Sequence, residues 1–419
     1  MNGSRRRVVV TGMGLITPLG LDVEDTWTAL LAGKSGAGPV TLFDAADQHV
    51  QFACEVKGFD PELYMDRKEA RRSDRFLQFA VAAADEAVRQ AGLEGMGPDA
   101  PSDRTGVIVG SGIGGLSTLE EQHSKLLEQG PKRVSPFFIP MFIADMAAGM
   151  ISMRYGSRGP NYATVSACAS SAHAVGLALR SIRNGEADVM IAGGTEATVT
   201  PLCMAGFASM KALSRRNDSP ETASRPFDAT RDGFVVGEGA GILVLESAEH
   251  ALARGATILG EIAGFGQSAD AYHMTAPVPG GTGAQLAMRD ALADADVGLD
   301  DVQYVNAHGT STPANDLTET AALKELFGEH AADLVISSTK SMTGHTLGAA
   351  GAIEAAICLL ACERGRIPPT INYQTPDPEC DLFYAPNEAV DRDVKVALSN
   401  SFGFGGHNVA IVTRRWENE

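Results

Sequence analysis

Two stretches of this chain, ASSAHAVGLALRSI (169–182) and GAAGAIEAAICLLAC (348–362), are apolar or small on nearly every helical face. A surface helix carries one apolar stripe, so helices of this kind belong in the middle of a protein. A chain with two of them needs enough further structure to wrap both. At 419 residues there is room for two core-forming units. Each stretch follows a polar turn with a reactive side chain: Ser166-Ala167-Cys168 before the first, Thr343-Gly344-His345 before the second. This is a faint internal echo between two halves, with a seam near 254–260. The expected halves are 1–255, carrying the cysteine, and 256–419, carrying the histidines.

Around these helices, short β-branched runs alternate with alanine-rich segments. Strands are expected at 7–10, 105–109, 189–192, 242–246, 302–306, 334–337 and 396–399. Helices are expected at 75–91, 169–183, 283–294, 316–326 and 349–364. Such alternation predicts an α/β fold with largely buried sheets. The longest irregular stretch, 214–233, reads as a functional loop or a surface excursion.

Charge and apolar content exclude some classes. A formal net charge of −18 argues against nucleic acid as a partner. No run of eighteen apolar residues occurs, so no membrane span is expected. Three arginines precede the first apolar run, as in a signal peptide, but that run breaks at Thr11-Gly12 and no cleavage-type segment follows. A first strand and a cytoplasmic location are therefore expected. Six scattered cysteines without a CxxC pair are expected to be mostly buried small hydrophobes, not a disulfide framework. An acidic partner would need a local basic patch. Arg67, Lys68, Arg71, Arg72 and Arg75 offer one, with 67, 71 and 75 spaced four apart and expected to share one helix face; the alternative is a solvated surface partly neutralised by Asp66, Glu69 and Asp74.

Cys168 opens a buried helix directly after a strand read over 161–166. Helix N-termini carry partial positive charge and unpaired N–H groups, which favour thiolate and could hold an oxyanion. A structural cysteine is the competing reading. His308, with Thr310 and Thr312 behind it, follows one strand; Lys340 and His345, with Glu354 beyond, follow another. Strand C-terminal ends collect functional groups in α/β sheets. Neither histidine has a metal-type spacing, and no zinc is expected. The segment from Gly110 to Gly115 fits GxGxxG, but no suitable strand with a terminal acid follows, which argues against a dinucleotide site. In SNSFGFGGHN (399–408), glycines flanking Phe404 would let the backbone approach a ligand while the ring swings as a gate. A tight turn around a buried aromatic is the alternative, and His407 is read as a turn residue.

Together these residues resemble a family. VVVTGMGLITPLG, SACASSAHAVG, RPFDATRDGFVVGEGAG, VNAHGTSTPANDLTE, KSMTGHTLGAAG and SNSFGFGGHN look like the β-ketoacyl–acyl-carrier-protein synthases, closest to the elongating type II enzyme of fatty-acid synthesis. The likeness runs from residue 8 to about 412, in matching order. It implies the thiolase fold, two similar mixed α/β halves in α-β-α-β-α layers, as a homodimer. It also implies a Cys168, His308, His345 site with Lys340 nearby, paired with Glu354. The N–H groups of Cys168 and Phe404 would hold an oxyanion. Thr310 and Thr312 would bind a phosphopantetheine arm, Ile113 and Phe207 would shape an acyl pocket, and the Phe402–Phe404 loop would gate it. Arg67, Lys68 and Arg71, with Lys211, would dock acyl carrier protein, which delivers the substrates, so no free cofactor is implied.

Some features depart from this pattern. Ser170-Ser171 looks more like polyketide synthases, although ATVSAC lacks their common DTAC form, so a type II polyketide ketosynthase subunit is the alternative pathway. A thiolase would want a second cysteine in the C-terminal glycine-rich loop, where this chain has none. An initiating synthase would have asparagine in place of His345. A non-catalytic chain-length factor would have lost Cys168.

Overall fold

The structure is a computed structural model that describes residues 5–417; the first four residues of the arginine-bearing N-terminus lie outside them. In the first half β1 (Val8–Ile16) leads through α1 (Arg75–Gln90) to β2 (Thr105–Gly110). Then follow α2 (Met146–Tyr155), β3 (Asn161–Tyr162), α3 (Ser170–Arg183), β4 (Val189–Glu196) and β5 (Gly239–Ser247). The second half repeats the plan. It runs β6 (Gly260–Ala269), α4 (Thr282–Ala295), β7 (Tyr304–Asn306), α5 (Pro313–Phe327), β8 (Val335–Ser337), α6 (Ala350–Arg364), β9 (Val396–Gly403) and β10 (His407–Arg414).

Strand order shows the repetition. The first half runs β1-β5-β4-β2-β3 and the second β6-β10-β9-β7-β8, so each is ordered first, fifth, fourth, second, third. Directions agree as well: β2 is parallel to β3 and β4, as β7 is to β8 and β9, and the remaining neighbours are antiparallel. The halves join edge to edge through Val9 opposite Glu261 and Val10 opposite Gly260.

Side-chain alternation along the strands builds the layers. Val107, Val109, Ile191, Ile242 and Val244 face α1 and α2 in one core cluster. Their neighbours Ile108, Met190, Ala192, Leu243 and Leu245 face inward, where they meet α3 and α6. From the other side, Ala397, Val409 and Ile411 join the same central cluster, while Leu398, Ala410 and Val412 face α4 and α5. Helix α6 is buried from Ala350 to Cys362, as its composition demands. It lies against α3 so closely that a Cβ on Gly351 would come within 2.7 Å of the Ala172 Cβ.

Three sequence expectations change. Strand β1 continues through Thr11-Gly12 with a register shift, because Gly12 and Gly14 have no Cβ to strike the carbonyls of Ala87 and Ala83 on α1. The strand read over 161–166 shrinks to Asn161–Tyr162. Arg67, Arg71 and Arg75 do not share a helix. A short helix, Arg67–Ala70, ends before α1 starts at Arg75, because Asp66 caps the first and Asp74 the second. Two strands, β6 and β10, were not expected at all. The stretch 214–233 is irregular apart from a turn at Pro220–Thr222.

Candidate active site

Cys168 sits in a tight turn, Ala167–Ala169, that feeds α3. Ala167 before it adopts φ 51°, a left-handed conformation uncommon for a residue with a side chain. His345 Nε2 lies 3.0 Å from the Cys168 sulfur. The His308 ring stands nearly perpendicular to that of His345, their centres 5.3 Å apart. The reactive atoms of all three lie within 4.8 Å of one another. One sulfur from the first half thus meets two imidazoles from the second.

Each group has its own support. His308 follows β7, and its turn is held by Glu319, which accepts the N–H of His308 and of Gly309 at 2.8 Å each. His345 is fixed by its neighbours on both sides. Its N–H donates to the Val235 carbonyl, its carbonyl accepts from Gly237, and Phe234 packs edge-on against its ring. Lys340 is buried in an ion pair with Glu354, the partner expected for it. Burial, and then the positive Lys340, hold both imidazoles well below the usual histidine range, so both are neutral.

The thiol departs from expectation. The N–H groups of Cys168 and Phe404 do bear on the sulfur and Lys340 favours its anion, but burial outweighs them and pushes the Cys168 thiol up to about 12. The proton therefore stays on sulfur, which lies against His345 Nε2.

These groups open into one cavity of about 560 Å³. Thr310, Thr312, Ile113, Phe207, Phe402, Phe404 and Lys211 all line it; Lys340 and Glu354 lie behind it. Thr310 and Thr312 are joined hydroxyl to hydroxyl at 2.8 Å, and Thr312 caps α5. Phe207 stacks edge-on against Phe234. Phe402 lies 5.6 Å from His308, at the end of β9. Phe404-Gly405-Gly406 is the hairpin turn between β9 and β10, with both glycines at positive φ. His407 is the first residue of β10, not a turn residue.

The basic residues divide. Arg67, Lys68 and Arg71 are exposed outside the cavity, whereas Arg75 turns inward to grip buried Glu238. Arg72 covers the Phe137 ring at 4.1 Å, which brings the exposed Lys132 and Arg133 segment toward the same face. Glycine-rich Gly110–Gly115 does precede a helix, Leu116–Gln129, but Glu196 occupies the Gly112 and Ile113 N–H groups that a pyrophosphate would need. Sequence reasoning missed Glu196 and Glu319, because a lone glutamate near a strand or helix end carries no local signal.

Comparison with known proteins agrees with this geometry. Residues 5–251 match "Beta-ketoacyl synthase, N-terminal domain", and residues 259–374 match "Beta-ketoacyl synthase, C-terminal domain". The chain is 54% identical over 416 residues to the 3-oxoacyl-[acyl-carrier-protein] synthase 2 of Synechocystis sp., covering 99% of this chain and 100% of that one. A solved ishigamide ketosynthase/chain length factor superposes with TM-score 0.92 at 40% identity, over 99% of this chain and 100% of that one. A ketosynthase solved in complex with its type II PKS acyl-carrier protein and bound to a hexaketide gives 0.91 at 37%, over 99% and 100%. These likenesses carry the thiolase fold of the ketosynthases, and the chain belongs to the beta-ketoacyl synthase family.

Proposed function

We propose that this chain is a 3-oxoacyl-acyl-carrier-protein synthase of the elongating kind. It would join an acyl group held on Cys168 to malonyl carrier protein in fatty-acid synthesis. The observation that carries the reading is the Cys168–His345 contact at 3.0 Å with His308 alongside, at the floor of a cavity.

The acyl thioester enters and the Cys168 sulfur attacks, its proton passing to the departing carrier thiol. The tetrahedral oxygen is held by the N–H groups of Cys168 and Phe404. The carrier thiol leaves with the proton, and the acyl group remains on Cys168. Malonyl thioester then places its carbonyl oxygen before His308 and His345, whose N–H groups stabilise enolate charge as carbon dioxide departs. The carbanion attacks the acyl-cysteine, the same two N–H groups receive the second oxyanion, and Cys168 leaves as thiolate to be reprotonated. The cycle consumes one proton overall. Burial, and then Lys340 in its pair with Glu354, keeps the two imidazoles neutral, and the substrates arrive on carrier protein, so these steps call for no free cofactor.

Thr310 and Thr312 would bind the phosphopantetheine arm, with Ile113 and Phe207 shaping the acyl pocket and the Phe402–Phe404 turn gating it. Carrier protein would dock at Arg67, Lys68 and Arg71 and at Lys211 by the cavity mouth, with Lys132 and Arg133 extending the patch. The seam between the halves falls at 255/256. A homodimer would cover exposed edge strand β3 and the apolar side chain of Val165 just after it. Among the described residues no helix is long and apolar enough to cross a membrane; the chain is read as cytoplasmic.

Polyketide ketosynthase is the second reading, favoured by the two solved relatives above. The higher identity to synthase 2 favours fatty-acid elongation. A chain-length factor is disfavoured by the intact Cys168, His308 and His345 arrangement. Product analysis over a series of acyl carrier proteins with malonyl carrier protein tests the choice. One round of condensation, releasing a single 3-oxoacyl product, supports elongation; repeated rounds giving poly-β-keto chains favour the polyketide reading.

A further inference from the structure

Glu196 ends β4, is buried, and lines the cavity with Cys168. The chemistry above does not use it, yet both its oxygens are fully engaged. Oε1 accepts from the Ser111 hydroxyl at 2.9 Å and the Ile113 N–H at 3.2 Å. Oε2 accepts from the Gly112 N–H at 2.7 Å and the Gly348 N–H at 3.0 Å. Three of these donors belong to the first-half loop carrying Ile113. The fourth belongs to the second-half turn that follows His345. Three of the four neighbours can only donate and the Ser111 hydroxyl can do so too, so the nest suits a carboxylate anion, although burial pushes the pKa of Glu196 up.

The duplication shows what place this carboxylate fills. The turns before α3 and α6 are alike: Ala167–Ala169 and Leu347–Ala349 are both three-residue tight turns. Each opens on a non-glycine residue in the left-handed region, Ala167 at φ 51° and Leu347 at φ 49°. Cys168 and Gly348 are therefore counterparts. So are β4 and β9, each eight residues long and fourth in its half, which pairs their last residues, Glu196 and Gly403.

Each of those strand ends lies against the other half's turn. A Cβ on Gly403 would approach the Cys168 nitrogen to 3.2 Å and the Ser166 oxygen to 2.6 Å, so glycine keeps the space at the Cys168 N–H open. Glu196 does the reverse and fills the space at the Gly348 N–H. A Cβ on Gly348 itself would meet Glu196 Oε2 at 2.6 Å. The molecule thus holds one open anion site, at Cys168, and one closed by its own side chain.

We propose that Glu196 is a positioning residue whose carboxylate fills the second half's counterpart of the oxyanion site, tying the Ile113 wall of the acyl pocket to the turn after His345. The inference rests on the functional reading of Cys168 and Ile113 above. Two consequences follow from it. Losing the tie loosens a wall that a long acyl chain reaches and an acetyl group does not. Losing the negative charge also eases ionisation of the nearby sulfur, whose thiol Glu196 helps to hold up.

The test compares wild type, Glu196→Gln and Glu196→Ala in acylation of Cys168 by acetyl- and palmitoyl-carrier protein, with and without formate. Glutamine keeps one acceptor oxygen, alanine keeps none, and formate brings two small oxygens to the same donors. Expected for Glu196→Gln is a rise of about tenfold in KM for the palmitoyl donor with acetyl transfer little changed, the scale of a lost hydrogen bond to a charged group. Iodoacetamide labelling of Cys168 in that variant should shift to lower pH. Glu196→Ala should lose more, and formate but not chloride should restore it. Equal losses for both donors, or a folded alanine variant that formate leaves unchanged, would overturn the proposal. Should the alanine variant not fold, the donor split and labelling profile of Glu196→Gln decide. A wild-type enzyme that never acylates Cys168 would defeat the functional reading itself; variants indistinguishable from an active wild type would defeat only this inference.

Discussion

At Cys168 two N–H groups and a neighbouring lysine favour an anion, while burial opposes it. A helix terminus is visible in the sequence and signals the first set; burial of the sulfur is not. Burial depends on which distant segments close over the turn. Cys168, His308 and His345 were legible because each follows a strand in a polar, small-residue turn. Lys340 and Glu354 were expected to pair through the family resemblance, and the structure pairs them. With the thiol raised, the thiolate fraction grows with pH through the neutral range. Iodoacetamide should therefore label Cys168 about tenfold faster for each unit of pH well below the thiol's pKa. A rate already flat from pH 6 would show a preformed thiolate. Removing one partner of a buried ion pair strands the other, so Lys340→Met should cost about 3–5 kcal/mol in denaturant unfolding. Adding Glu354→Leu should recover most of that loss; no recovery would mean that Lys340 stabilises by some other contact.

Elements were legible where one pattern dominated. Helices α3 and α6 were read within a residue of their observed ends, because helices apolar all round have few places to go. Strand β1 was cut short at Thr11-Gly12, since glycine in a strand looks like a break until the helix that needs the space is in view. Strand β6 escaped notice for the same reason, its glycines at 260, 264 and 266 hiding the period of two. Strand β10, HNVAIVTR, follows the glycine-rich turn without a break, so the turn's signal masks its start. The basic face was misjudged as one helix, although Asp66 and Asp74 each signalled a separate start. Close packing of the two central helices gives a direct check. Gly351→Val drives a side chain into Ala172 and Ser401 and should destabilise by roughly 3 kcal/mol or more, read from denaturant unfolding. A change under about 1 kcal/mol would mean that the helices can move apart freely.

For the whole molecule, duplication assembles the site: one half offers the sulfur and the other the imidazoles. The echo between halves was visible in sequence, but its register was not. The counterpart of Cys168 is Gly348, three residues beyond His345, and only the matching turns reveal it. A chain with net charge −18 can receive an acidic carrier only at a local basic face. Charge reversal at Arg67 and Arg71 together should weaken carrier binding at least about tenfold and flatten its dependence on salt, with unfolding unchanged. Equal affinity would remove those residues from the dock.

The most direct test of the account is intact-protein and peptide mass spectrometry during a single turnover. Acyl carrier protein alone should add one acyl group, mapped to Cys168. Malonyl carrier protein added next should discharge that group as 3-oxoacyl carrier protein with release of carbon dioxide. An acyl group on any other residue, or product formed by Cys168→Ala at the wild-type rate, would contradict it.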